Sequence, residues 1–488
     1  MAPTILTTAT MKYALALLCA LLATATVSAQ EKYDLQACIE YARANNFGVQ
    51  RAEIAVKRAQ LNERQTRLDR LPNLSGNTNA GFNFGRSIDP TTNTFSTQRS
   101  SFQSYGVNAG VTLYNAGFLK NSIAQSGFDL KAASADARQT QNDLALNVAQ
   151  AYLQVLFSRE QINVARQQVT LTQTQLDRTD KLITAGQVPR NDRLDLVARL
   201  AQDRQQLIVA ENNLQINLIN LRQLMQLPVD RELEIVVPEV VLPTEDPDDI
   251  VYQQVYAKAL NTQPRVLAAE YRLESAAYGD ELARANMFPR LSLFAGLNTN
   301  YSSLAGDFIP VGIQVNDPVP VQATIGGVTQ DILLASTSPA SFDFDRFPYL
   351  TQLENNFGYN VGLSLQVPIY SNGRNRTNIE LARLNEAQAQ FGILEAKQQI
   401  QTEILRAIAD ARAAKQQYEA SQASVAALQL ALDNTERRLQ LGAANTIDYT
   451  LAREQLTQAQ AELVRAKYDF VFRMKVIDFY EGKTLTIR

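Results

Sequence analysis

Val111-Thr112-Leu113-Tyr114-Asn115-Ala116-Gly117 returns later in the chain as Val367-Pro368-Ile369-Tyr370-Ser371-Asn372-Gly373, a shift of about 256 positions. The same shift carries Ala151 to Ala407, Gly186 to Gly442 and Asp192 to Asp448, with no insertion or deletion between them. Upstream, Pro72-Asn73-Leu74-Ser75 matches Pro289-Arg290-Leu291-Ser292 at a shift of about 217. The second copy therefore carries an insertion of about 39 residues between Pro289 and Val367. Self-similarity on this scale means one supersecondary plan built twice.

Each copy predicts a helix of about forty residues (35–71; 250–288) that stops at a proline, which cannot continue a helix. Two strand-like runs around a loop follow. A proline-free helical stretch comes next, over 118–184 and 374–441, about 100 Å long at 1.5 Å per residue. A glycine turn then leads into a return helix of about forty residues. Val148, Val155, Ile162, Val169, Leu176 and Ile183 recur every seven residues, as do Ile404, Ala411, Tyr418, Val425, Leu432 and Leu439. The return helices keep the step in Leu200, Leu207, Leu214 and Leu221, and in Leu456, Leu463, Phe470 and Ile477. A sustained 3.5-residue period means coiled-coil packing. By itself it fits an ordinary long-helix bundle equally well.

The strands separate the two. Leu74, Gly76, Thr78, Ala80, Phe82 and Phe84 alternate with Ser75, Asn77, Asn79, Gly81 and Asn83. Tyr105, Val107, Ala109, Val111 and Leu113 alternate with Gly106, Asn108, Gly110 and Thr112. Leu291, Leu293, Ala295 and Leu297 alternate with Ser292, Gly296 and Asn298, and Phe294 is the exception. The fourth run sets Phe357, Tyr359, Val361, Leu363, Leu365, Val367 and Ile369 against Gly358, Asn360, Gly362, Ser364 and Gln366. Runs of about ten residues with an apolar face and an Asn/Gly/Ser face suit a barrel with lipid outside and water inside. An antiparallel sheet on a soluble core shows the same alternation. The export signal and the absence of an amphipathic partner beside these strands favour the barrel.

That signal is N-terminal. Met11-Lys12 opens a basic start, an apolar run over 13–27 follows, and Val27-Ser28-Ala29 forms a small-residue cleavage site before Gln30. Met11 competes with Met1 as the true start. Cys19 follows Leu18, where lipidation would want a small residue, so only Cys38 stays in the mature chain. No later segment reaches eighteen consecutive apolar residues, and a chain that crosses a membrane without such a segment does so as a barrel. Four strands cannot close one, since the smallest single-chain barrels have about eight. Several copies must therefore share a wall, and the chain reads as part of an oligomeric conduit.

Composition agrees. The 488 residues hold Lys+Arg 46 and Asp+Glu 49, no histidine, no tryptophan and two cysteines. No imidazole exists for a nucleophile relay, no His/Cys cluster for zinc, and a net charge of -3 does not suit a nucleic-acid partner. The expectation is a non-enzyme with no cofactor.

The duplicated plan, the Leu113-Tyr114-Asn115-Ala116-Gly117 and Ile369-Tyr370-Ser371-Asn372-Gly373 junctions, and the Gly186…Asp192 and Gly442…Asp448 turns together resemble the TolC-like outer-membrane efflux proteins of Gram-negative bacteria. The resemblance covers nearly all of the mature chain. It implies a membrane α+β fold with four strands per chain in a twelve-stranded trimeric outer-membrane barrel, continued by a long coiled-coil periplasmic tunnel. It also implies a homotrimer in outer-membrane lipid, served by a periplasmic adaptor (membrane fusion protein) and an inner-membrane RND or ABC transporter. The turns become periplasmic tips, with Gly186, Gln187, Gly442 and Ala443 as adaptor-docking positions. Asp192 and Asp448 match gate-region aspartates, and Asp195 adds a third carboxylate where copy two has Leu451. An aspartate in a first helical turn also favours the helix dipole wherever it sits. Ala444 and Leu439 stand where a basic and an aromatic latch residue are expected, leaving Arg190 or Arg193 to pair with Asp192, Asp195 or Asp448.

The expected organisation is a signal peptide over 1–29, a first repeat over 30–228, a linker over 229–249 in an equatorial belt, a second repeat over 250–482, and a tail over 483–488. Loop 302–356, with Phe342-Asp343-Phe344-Asp345-Arg346-Phe347-Pro348-Tyr349, is expected outside the cell as a cap or as an ordered loop. Two rivals remain. A periplasmic adaptor normally carries one coiled-coil hairpin between soluble β-domains, and a secreted acid–base enzyme would need carboxylates off the heptad surfaces, where most lie here.

Overall fold

The computed structural model describes residues 32–88, 95–96, 99–187, 189–237, 241–444 and 446–483. The signal peptide, the choice between Met1 and Met11, Cys19 and the tail beyond Lys483 lie outside the described residues. In chain order the elements are β1 (Lys32–Tyr33), α1 (Leu35–Asn45), α2 (Phe47–Leu68), β2 (Asn73–Asn83), β3 (Ser87–Ile88), β4 (Phe95–Ser96) and β5 (Ser100–Tyr114). Then come α3 (Phe118–Thr184), α4 (Asn191–Met225), β6 (Glu234–Ile235), α5 (Tyr252–Thr262), α6 (Pro264–Ala285) and β7 (Arg290–Ser302). The segment between β7 and the last strand holds β8 (Gly306–Val315), β9 (Val319–Ile325), β10 (Val328–Leu334), β11 (Thr337–Arg346) and α7 (Tyr349–Asn355). The chain closes with β12 (Gly358–Gln366), α8 (Arg374–Gln440) and α9 (Thr446–Tyr480). The two long helices have 67 residues each and the two return helices 35 each.

Residues Asn62–Ser126 and Ala276–Glu386 form one compact unit, and the described remainder forms another. The first is built on an antiparallel sheet of order β12-β7-β5-β2. Its register sets Gly76 and Leu297 beside Val107, and Tyr359 beside Leu297, so the apolar residues of all four strands share one face, Phe102 and Phe294 excepted. β2 and β12 are its edges. The segment expected as loop 302–356 is instead two ribbons, β8 with β11 and β9 with β10, followed by α7. Gly326 and Gly327, both at positive φ, make the two-residue turn of the β9–β10 hairpin.

The other unit is helical and has two equivalent cores. In the first, Cys38, Ala42 and Val49 meet Val148, Tyr152, Val155 and Leu221. In the second, Val255, Ala259 and Val266 meet Ile404, Ile408, Ala411 and Ile477, the same positions one repeat later. Val148, Val155, Ile162 and Leu176 of the expected seven-residue stripe are buried. Burial also pushes the Cys38 thiol up to about 12, helped by the charge of Asp34.

One correction concerns the first helix of each copy, which is two helices rather than one of forty residues. Asn46 turns extended (ψ 129), its Oδ1 accepts from Gly48 N at 2.7 Å and its Nδ2 donates to Leu224 O at 2.9 Å. Gln263 is extended because it precedes Pro264, and Pro264 starts α6 at the first-turn position that tolerates it. Gln263 Nε2 donates to Phe479 O and Tyr480 O. Each break thus ties its helix to the C-terminal end of the return helix in the same copy. In the linker, β6 pairs in parallel with β1, and Tyr152 OH donates to Val236 O at 2.5 Å.

Candidate functional site

Two places carry the functional expectations: the polar face of the sheet and the helix turns. On the polar face each glycine stands opposite a large partner. A Cβ on Gly106 would meet Asn77, one on Gly296 would meet Asn360 and Asn108, and one on Gly358 would meet Asn298. Asn108 Nδ2 donates to Asn77 Oδ1 at 3.1 Å across the strands. The aromatic exceptions follow the same rule, since Phe294 pairs with Gly362 and Phe102 with Gly81. On the other face Val361, Leu363 and Leu365 are 73%, 63% and 64% exposed. The sheet of one chain therefore pairs an amide-lined face with an apolar face that is largely exposed.

The wall passes into the long helices through the repeated junction. Ala116 and Gly117 both take positive φ (52° and 81°), as do Asn372 and Gly373 (52° and 74°). Two successive left-handed residues turn the strand into the helix, which is why the motif recurs.

The turns between the long and return helices are alike. Gly186 has φ 71°; its N donates to Ile183 O at 3.0 Å, and Gln187 N donates to Leu182 O at 2.9 Å. Gly442 has φ 73°, with Gly442 N donating to Leu439 O at 3.0 Å and Ala443 N to Arg438 O at 2.8 Å. Both are Schellman caps, which need a left-handed residue and therefore glycine. Nothing stands within 4 Å of a Cβ at either position, so conformation alone demands the glycine.

Asp192 is the second residue of α4, and its side chain lies outside the described atoms. Arg190, Arg193, Asp195 and Asp448 are exposed, with Asp448 in the first turn of α9. Arg193 Nε donates to Asp180 Oδ1 at 2.8 Å, a partner on α3 outside the expected trio. Sequence spacing hides this pair, because the cap brings positions thirteen apart together. Further along, Arg199 pairs with Glu454 between α4 and α9, and Thr172 Oγ1 donates to Asp203 Oδ2 at 2.6 Å between α3 and α4.

Sequence reading also missed a clamp on the linker. Lys415 Nζ on α8 reaches Asp246 Oδ2 at 2.5 Å and Asp248 Oδ2 at 3.3 Å. Hydrogen bonds from the Lys415 ammonium and from Asp248 N hold the Asp246 carboxyl below the usual carboxylate range. Among the described residues no helix is long and apolar enough to cross a membrane, and no His/Cys/Asp/Glu group is arranged to hold a metal ion.

The family model described as "Outer membrane efflux protein" matches residues 38–225 and 255–471. The cation efflux system protein CusC of Escherichia coli O6:H1 is 24% identical over 446 residues, 88% of this chain and 82% of that protein. The outer membrane protein TolC of Vibrio cholerae serotype O1 is 23% identical over 406 residues, 81% of this chain and 78% of that one. The crystal structure of the outer membrane protein VceC from Vibrio cholerae superposes with a TM-score of 0.71 at 16% identity, covering 93% of this chain and 97% of that one. At such identity the superposition speaks for the fold, which is TolC-like. Matched in both halves, the chain belongs to the outer membrane efflux protein family.

Proposed function

We propose that the protein is the exit duct of a tripartite efflux or type I secretion system, conducting substrates passively and catalysing nothing. The observation that carries this reading is the four-stranded sheet, apolar on one face and amide-lined on the other, with β2 and β12 at its edges. An exposed strand edge is a template for pairing with another chain, and three copies joined β12 to β2 make a twelve-stranded wall. The exposed apolar face then meets outer-membrane lipid, and the Asn/Gly/Ser face lines a water-filled lumen. The helices project into the periplasm as a tunnel, with linker 229–249 in a belt around it and the two ribbons on the extracellular side.

In this reading Gly186, Gln187, Gly442 and Ala443 dock a periplasmic adaptor, which links the duct to an inner-membrane RND or ABC transporter. Asp192, Asp195 and Asp448, with Arg190 and Arg193, surround the entrance. The test is native mass in detergent together with single-channel recording in planar bilayers. A detergent-dependent trimer that conducts supports the duct. A protein soluble without detergent, with no conductance, sinks it.

A further inference from the structure

Helix α7 lies on the apolar face of the sheet. Thr299 Oγ1 donates to Leu353 O at 2.6 Å, Ser302 N donates to Gln352 Oε1 at 3.0 Å, and Asn356 Nδ2 donates to Asn300 O at 2.8 Å. Tyr349 OH sits 2.7 Å from Tyr105 OH, and both hydroxyls donate to Gln103 Oε1, at 2.9 and 2.8 Å. The Tyr349 ring also packs on Tyr301, with centroids 5.0 Å apart. By register Gln103 pairs with Tyr301 and Tyr105 with Thr299, in line with Val107 and Leu297 of the apolar face. These anchors belong to β5 and β7, the two central strands. The helix therefore rests over the central strands and leads directly into β12, one of the two edges.

Its height matches a lipid boundary. From Tyr105 to Tyr114, nine residues along β5, the strand runs about 30 Å, or about 23 Å of height at a tilt of about 40°, against an apolar band of about 25 Å in such barrels. Tyr114, Tyr370 and Phe288 are exposed at the helix end of this band, and the Tyr105–Tyr301–Tyr349 cluster closes the other. Aromatic rings with a polar tip gather at both levels of a bilayer interface. On α7 Leu350 is 75% exposed, and Phe347 just before the helix and Phe357 just after it are exposed as well. Apolar side chains held at that level by hydrogen bonds to the sheet suit a lipid surface better than water.

We propose that α7 is an interfacial anchor, lying in the headgroup layer of the outer leaflet with Leu350 and Phe347 set at the headgroup–acyl boundary. The proposal rests on the barrel reading above. It gives the inserted segment a role in fixing how deep the barrel sits, separate from the ribbons that precede α7.

The chain has no tryptophan, so Leu350→Trp and Leu363→Trp are each a single reporter. Each variant is reconstituted in phosphatidylcholine vesicles containing lipid brominated either near the headgroup or near the acyl terminus. Trp at 350 is expected to be quenched at least about twofold more by the shallow bromines, and Trp at 363 more by the deep ones. If position 363 is quenched and position 350 is not, α7 faces water and the proposal is overturned while the barrel stands. If neither is quenched, the barrel reading fails and takes the anchor with it.

Discussion

The ring of Phe294 covers the backbone of Gly362, its paired neighbour on β12: a Cβ added to Gly362 would stand 2.5 Å from Phe294 Cζ. Phe102 covers Gly81 at the other end of the sheet in the same way, with the added Cβ 2.9 Å from its Cζ. A glycine in a strand loses cross-strand packing, and an aromatic laid over it restores that packing. Gly362→Val should therefore destabilise the sheet by about 1–3 kcal/mol, the usual cost of overpacking. Adding Phe294→Ala should recover most of that loss, because the two substitutions act on one contact. The temperature at which the barrel unfolds in a gel-shift assay reads both. Additive losses would mean that the ring and the glycine do not share a contact.

Much of this was legible because strand and helix periods are strict. Alternation at period two placed all four barrel strands, and the constant shift between copies matched helix to helix. Phe294 stood out in sequence as the one break in alternation. Its reason, Gly362, is 68 positions away and visible only once strands pair. The breaks at Asn46 and Gln263 divide along the same line. Pro264 is a local signal for an extended Gln263 that the reading of one helix over 250–288 passed over, whereas Asn46 is held by Leu224 O from a distant helix. The Gly326-Gly327 dipeptide is likewise a hairpin signal, and the reading of 302–356 as one loop passed over it. A seven-residue helix such as α7 shows no period at all, and its position comes wholly from Thr299, Tyr105 and their neighbours. At the turns the glycines were readable, but the Arg193–Asp180 pair depends on the three-dimensional path of the cap.

The strand-to-helix junctions invite a stabilising change. Ala116 takes φ 52°, a left-handed conformation that costs an L-residue with a Cβ about 1–2 kcal/mol. Its counterpart Asn372 holds the same φ of 52° with a residue that tolerates it better. Ala116→Asn is expected to raise stability by about 0.5–1 kcal/mol, and Asn372→Ala to lower it by a similar amount. Thermal unfolding in detergent measures both. A destabilising Ala116→Asn would show that the equivalence between junctions ends at the backbone.

The Lys415 clamp makes a pH prediction. The Asp246 carboxyl is held below its ordinary value, so its contribution is present above the ordinary carboxylate range and lost as pH falls through the lowered value. Lys415 is raised, chiefly by its hydrogen bond to Asp246, so its contribution is lost only as strongly basic pH passes the raised value. Between about pH 4 and about pH 10 the clamp is whole. Lys415→Met should therefore lower the melting temperature at pH 7, and the gap to the unaltered protein should close below the carboxylate range. Both groups are only half-buried, so added salt should narrow the gap in part as well. A gap that is the same at all pH values would assign the effect of the substitution to packing.

The two turns differ in one respect that, under the duct reading, bears on gating. Arg193 ties the start of α4 to Asp180 near the end of α3, whereas the equivalent positions of the second copy carry Tyr449 and Glu436. An exposed ion pair contributes at most about 1 kcal/mol, enough to bias a closed entrance without locking it. Under the duct reading, Arg193→Ala should raise the closed-state conductance in planar bilayers by up to about fivefold, the population shift that 1 kcal/mol allows. Tyr449→Arg, which can reach Glu436 by the same path, should lower it. Asp448→Lys should shift cation preference if the carboxylates ring the entrance. If Arg193→Ala leaves the current unchanged while Asp448→Lys alters selectivity, the entrance lies at these turns but the Arg193–Asp180 pair does not hold it shut.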